Sequence, residues 1–149
     1  MEIYYDRDKK YPVENYELDE HGFAIIKSEA VHIFGDSTVK AEGSSTVFAY
    51  DNSKVWAHGN SKVWAIDNST VWAIDNSKVK AWDNSTVKAY DNSKVMACDN
   101  STVKAEGSSW VKAYDNSKVK AEGSSTVMAY GNSKVEAYDN SKVEAYGRT

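Results

Sequence analysis

One cysteine, one proline and three histidines are all that this chain of 149 residues holds of those three residue types. A single cysteine excludes an intrachain disulfide framework and a cysteine-rich zinc site. His21, His32 and His58 are too scattered to suggest a metal cluster, and neither metal nor cofactor is expected. No run approaches the ~18 consecutive apolar residues of a spanning helix. The opening Met-Glu-Ile-Tyr-Tyr-Asp lacks the basic-then-apolar pattern of a secretory signal, so the expected compartment is the cytoplasm, with no membrane partner. A net charge of −4 and a pI near 5.4 give no whole-protein attraction to nucleic acid, leaving only a local basic patch for that purpose. Catalytic signatures are missing too: no phosphate loop, no Ser-His-Asp set in unique sequence, no evident Cys-His pair. The chain has room for one domain, and that domain is not expected to be an enzyme.

What is present is a period of eight residues. Serine recurs at every eighth position from Ser37 to Ser141, valine two residues after each serine, alanine two residues later again. These fourteen octads keep perfect register. Ser-x-Val-x-Ala alternates with period two, which is the pattern of a strand with one buried face. The next two residues are Asp-Asn in eight octads, Gly-Asn or Gly-Ser in five and Gly-Arg in the last, with Gly-Asp just before the first. Such residues tolerate a left-handed backbone or bond their own main chain, so each octad ends in a tight corner. A hairpin meander could use these corners, but identical residues at fixed spacing favour like stacked on like, as in parallel solenoids.

The inward set of serine, valine and alanine is small and fills only a thin core to native density. That favours a flattened coil of two octads over a triangular coil of three. Glu42, Glu106 and Glu122 all fall on odd octads, in keeping with the choice. The expected fold is therefore all-β, a parallel β-solenoid (β-helix) with flattened two-sheet coils of 16 residues and an N-terminal β cap. The octads make seven coils, a rod of roughly 35 Å at ~4.8 Å per layer. Asparagine ladders are expected to tie the corners layer to layer, in preference to calcium binding by the aspartates.

The register extends backward, with Val31 and Ile33 in the valine and alanine slots and Phe23 and Ile25 one octad earlier. Residues 1–30 read as the cap and 31–147 as the solenoid. Within the cap, residues 6–10 read as a turn between two short strands. The last octad runs straight into Gly147. An open end of parallel strands is a template for pairing, so either another subunit covers it or Lys142 and Glu144 act as charged gatekeepers.

On a solenoid, function lives in the outward side chains. Even octads place Tyr50, Ile66, Trp82, Cys98, Tyr114, Tyr130 and Tyr146 after the alanine, with Phe48, Trp64, Met96, Trp110 and Met128 beside them. A contiguous apolar strip of this length exceeds what soluble monomers usually expose, and its residue types are those of interface cores. The expected binding residues are Tyr50, Trp64, Ile66, Trp82, Cys98, Trp110, Tyr114, Tyr130 and Tyr146, and the expected partner is a second copy, giving a homodimer. Aromatic stacking along the sheet without any partner is the plainer reading, and a protein target is a further one. Trp56 and Trp72 fall on the opposite sheet beside His58 and Ile74. They could form a carbohydrate or base platform, but the tyrosine-rich segment 1–20 is expected to fold over them. Lys78, Lys80, Lys88, Lys94, Lys104, Lys112 and Lys120 are a candidate anion-binding row, and nucleic acid is the alternative partner it suggests.

The inward pattern of residues 37–146 resembles the repeats of bacterial ice-nucleation proteins, which carry serine and alanine in octad halves of a 16-residue coil. It is also similar to the rolled heads of trimeric autotransporter adhesins and to octapeptide-repeat proteins of bacterial and prophage origin. The resemblance implies the solenoid fold and offers ice or water organisation, or structural self-assembly, as alternative functions. Ice activity needs outward Thr-x-Thr, whereas Thr38 is paired with Lys40, Thr46 with Phe48, Thr70 with Trp72, Thr86 with Lys88, Thr102 with Lys104 and Thr126 with Met128. The leading expectation is a rigid interaction protein, self-associating through its even-octad stripe. A phage-type inhibitor that occludes a protein partner fits the same description.

Overall fold

The structure, a computed structural model, describes residues 2–6, 17–21, 23–27 and 30–147. Period-two alternation produces strands throughout. Sheet A holds β4 (Ala30–Phe34), β6 (Thr46–Ala49), β8 (Lys62–Ala65), β10 (Lys78–Ala81), β12 (Lys94–Ala97), β14 (Trp110–Ala113), β16 (Thr126–Tyr130) and β18 (Lys142–Tyr146) in parallel order, with β1 (Glu2–Asp6) along the outer edge of β4. Sheet B holds β3 (Ala24–Ile26), β5 (Thr38–Ala41), β7 (Lys54–Ala57), β9 (Thr70–Ala73), β11 (Thr86–Ala89), β13 (Thr102–Ala105), β15 (Lys118–Ala121) and β17 (Lys134–Ala137), also parallel. The short strand β2 (Glu17–Leu18) closes the outer edge of β3 in the antiparallel sense. The chain thus alternates between two sheets, and successive strands of one sheet pair residue for residue at a spacing of 16, as Val79 does with Val63 and Val95. This is the two-sheet, 16-residue parallel solenoid that the octads imply.

The core is one residue deep from each sheet. From Val31 to Val127 every inward valine is at most 3 % exposed, and the inward alanines from Ala41 to Ala129 and serines from Ser37 to Ser133 are wholly buried. Serine suits its slot because it enters the strand directly from the corner. The hydroxyls of Ser53 and Ser117 donate to the carbonyl three residues back, at 2.6 and 2.7 Å, which helps to close the turn.

At each corner the first residue has a left-handed backbone: φ is 55–60° at eight aspartates and 61–68° at the glycines from Gly35 to Gly131. Aspartate tolerates that region better than most residues with a β-carbon. The expected asparagine ladder is instead an aspartate ladder. The Asp75 carboxylate accepts the Gly59 N–H at 3.0 Å, and the Asp83 carboxylate accepts the Asp67 N–H at 3.4 Å, each one coil apart. The left-handed turn points this N–H along the rod, where only an acceptor can use it, and a carboxylate is acceptor-only. Asparagine joins the layers through its backbone, as Asn84 N–H donates to the Asp67 carbonyl at 2.9 Å.

The first coil departs from the expected register by one residue. Ala24 pairs with Val39 and Ile26 with Ala41, so Ala24 and Ile26 are the inward pair, in place of Phe23 and Ile25. Ala24 is 1 % and Ile26 3 % exposed. The stretch from β3 to β4 is one residue short of an octad, and a slip of one exchanges the faces of a strand. Phe23 is thereby released to the outside. Asp19 pins this start, accepting the N–H groups of His21 and Phe23 at 2.9 Å each and pairing with Lys40. The Lys40 ammonium holds the Asp19 carboxyl down to about 2.

The turn expected at residues 6–10 lies largely outside the described residues. Among the described residues β17 and β18 are the edge strands at the opposite end, as β1 and β2 are at this one. Val143 is 40 %, Tyr146 47 % and Tyr138 48 % exposed and Val135 is partly buried, whereas the valines up to Val127 are sealed.

Candidate interaction faces

Each strand sends three side chains outward, before the valine, after the valine and after the alanine, so each sheet carries three columns. On sheet A the last column runs Phe34, Tyr50, Ile66, Trp82, Cys98, Tyr114, Tyr130 and Tyr146. Strand spacing brings rings into contact: Phe34 and Tyr50 at 4.9 Å between centres, Tyr114 and Tyr130 at 4.9 Å, Tyr130 and Tyr146 at 5.0 Å. The middle column adds His32 on Phe48 at 4.6 Å and Phe48 on Trp64 at 4.9 Å. All nine expected binding residues lie on this face. Eight are half-buried by their neighbours and Tyr146 is exposed. Phe34 and His32 lengthen the stripe by a layer, and Val31 and Ile33 in register were the signal for them.

The expected lysine row is divided between the faces. Lys78, Lys80, Lys94 and Lys112 lie on sheet A, joined by Lys62, whereas Lys88, Lys104 and Lys120 lie on sheet B. The division follows octad parity, which a count along the chain conceals. On sheet B two of these three are ion-paired: Lys104 with Glu106 at 2.6 Å and Lys120 with Glu122 at 2.8 Å. Those carboxylates push the Lys104 and Lys120 ammonium groups above their ordinary range, and Lys120 in turn lowers Glu122. On sheet A no outward position from β4 to β16 is acidic; Glu144 is the first. There Lys80 lies over the Trp64 ring at 5.6 Å and Lys112 over the Trp110 ring at 5.0 Å. Lys78, Lys80, Lys94, Met96, Trp110 and Lys112 line a shallow cleft of about 200 Å³.

Cys98 sits within the sheet A stripe. Burial raises its thiol above the ordinary value, helped by the charges of Asp115 and Asp99. The Tyr146 hydroxyl donates to Glu144 at 2.9 Å, a bond that raises the phenol in the same way.

On sheet B, Trp56 stacks on Trp72 at 4.7 Å, and Lys88 lies over Trp72 at 5.6 Å. The cover expected from residues 1–20 comes in part from Phe23, stacked on Trp56 at 5.8 Å. Glu2–Asp6 lies at the edge of sheet A, and residues 7–16 lie outside the described set. Among the described residues no helix is long and apolar enough to cross a membrane. Compared with known proteins, the chain matches no family model, no curated protein and no solved structure.

Proposed function

We propose that the protein is a rigid, non-enzymatic interaction module and that the outward face of sheet A is its contact surface, with a second copy as partner. The observation that carries the reading is the aromatic and apolar stripe that crosses eight layers of sheet A without a carboxylate before Glu144. Aromatic side chains and methionine are the residues that interface cores favour.

The column order supports self-pairing. A copy turned about an axis parallel to the rod lays each layer on its counterpart and reverses the left-to-right order of the columns. Lys62, Lys78 and Lys94 of one copy then face Ile66, Trp82 and Cys98 of the other, with Asp67, Asp83 and Asp99 beside them. Each of these three lysines meets an apolar surface and a carboxylate at once. Tyr114→Lys together with Tyr130→Lys puts two charges into that contact. At low micromolar concentration the wild type is expected to run as a dimer by light scattering and the variant as a folded monomer. An unchanged molar mass removes sheet A as the self-contact. Occlusion of a protein target by the same face is an extension of this reading.

A second reading rests on the acid-free lysines. Five ammonium groups among stacked rings suit a single-stranded nucleic acid, with bases on the aromatics and phosphates on the lysines. Rows of corner aspartates on both flanks oppose it. It requires binding to labelled single-stranded DNA or RNA that weakens steeply with salt and is lost in Lys78→Glu with Lys94→Glu. Equal signals from wild type and variant dismiss it. The likeness to ice-nucleation repeats lies in inward and corner residues, which build the coil, so it lends this face no activity.

A further inference from the structure

We infer that the open end of the rod is a self-complementary docking edge, and that its occupant is the same edge of a second copy, joined tail to tail. Three observations meet there. Among the described residues β17 and β18 are the edge strands at this end, each with a full-length free edge, whereas at the other end the edge strands are β1 and the two-residue, antiparallel β2. The exposed large hydrophobic residues of the described chain, Tyr138, Val143 and Tyr146, all belong to this last coil. And the last two octads alone read Lys-Val-Glu: Lys134-Val135-Glu136 and Lys142-Val143-Glu144. Every earlier octad has lysine, an aromatic residue or methionine after its valine.

Lys-Val-Glu is its own complement when read backwards, which is how an antiparallel pair reads it. A two-fold axis along the strand direction, at the end of the rod, sets β17 of one copy beside β18 of the other. The two sheets of a coil run in opposite directions, so this pair is antiparallel. The axis leaves position along the strand unchanged, so Val135 falls opposite Val143, Lys134 opposite Glu144 and Glu136 opposite Lys142. The second β17–β18 pair repeats the arrangement, giving four cross-strand ion pairs, closed ladders on both sheets and one continuous core. No upstream pair of strands could do this, since lysine would meet lysine, threonine or an apolar residue. Head-to-tail growth would have to add to β1 and to the two-residue β2, neither of which carries the Lys-Val-Glu complement. The contact is only two strand edges wide and belongs to the weak class of interfaces, so it forms at concentrations far above those at which a large face saturates.

The test uses the full chain carrying Tyr114→Lys and Tyr130→Lys, which removes the sheet A contact and makes the outcome independent of the proposed function. In this background, sedimentation toward millimolar concentration is expected to show doubling of the molar mass. Glu136→Lys with Glu144→Lys makes the edge all lysine, and Lys134→Glu with Lys142→Glu makes it all glutamate. Each alone is expected to stay monomeric, with unchanged circular dichroism because all four side chains are exposed. An equimolar mixture is expected to recover the doubled mass as a heterodimer. A background that stays monomeric, single charge variants that still dimerise, or a mixture that does not associate would each overturn the inference.

Discussion

Ala89→Leu is expected to destabilise the rod by about 3 kcal/mol, the upper end of what overpacking costs. Ala89 is wholly buried on β11, between flanking alanines at 73 and 105 in the same sheet. A core one residue deep from each sheet has nowhere to send three extra carbons except against the opposite strand. The sheets must then part locally, and the loss reaches both neighbouring coils, because each coil of a solenoid contacts only its neighbours. The control is Ala145→Leu, the same change in the same slot on β18, where the side chain is exposed. There the expected effect is within about 0.5 kcal/mol. Urea denaturation of the two variants decides the matter. Equal shifts in midpoint would mean that the sheets are not closely packed at Ala89.

Removing eight residues should do what removing sixteen does not. Deletion of 83–90 excises one octad, and deletion of 83–98 excises one full coil. Inward and corner residues are nearly identical in all octads, so both shortened chains are expected to fold, with unchanged circular dichroism. After the eight-residue deletion, however, every downstream strand moves to the other sheet. Tyr114, Tyr130 and Tyr146 then pass to sheet B, and Glu106 and Glu122 arrive beneath Trp82. Self-association through the stripe is expected to be lost at low micromolar concentration, whereas the sixteen-residue deletion leaves a shorter dimer. Light scattering of both proteins separates the outcomes. A dimer that survives both deletions would show that the continuous stripe is not what pairs.

The fold was legible because its code is redundant. Fourteen repeats of one inward triplet and one corner leave a single way to bury the small residues and close the turns. Octad parity also separated the two faces correctly, which is why all nine stripe residues share sheet A. Legibility failed where the repeat lapses. Nothing in the residues from Phe23 to Phe34 announces that the stretch is one residue short, so Phe23 and Ile25 looked inward when Ala24 and Ile26 are. The aspartate ladder was missed for a different reason. Aspartate and asparagine occupy neighbouring corner positions, and which of them reaches the next layer depends on the direction of one N–H under a left-handed φ. The lysine row looked continuous because sequence order ignores the alternation that sends Lys88, Lys104 and Lys120 to the other side.

The aspartate ladder has an electrostatic consequence. Asp51, Asp67, Asp83, Asp99 and Asp115 occupy one long edge at successive layers, each carboxylate held in line by an N–H bond to the layer before. At ~4.8 Å spacing, neighbouring unit charges repel by roughly 0.9 kcal/mol even in bulk water. The rod is therefore a small polyelectrolyte, with a line charge built into its edge. Added salt screens that repulsion while leaving the buried triplets untouched, so ionic strength should stabilise the coil even as it weakens the exposed ion pairs. Each further coil with an aspartate at this corner would lengthen the line charge, so dilute salt costs a longer rod more than a short one.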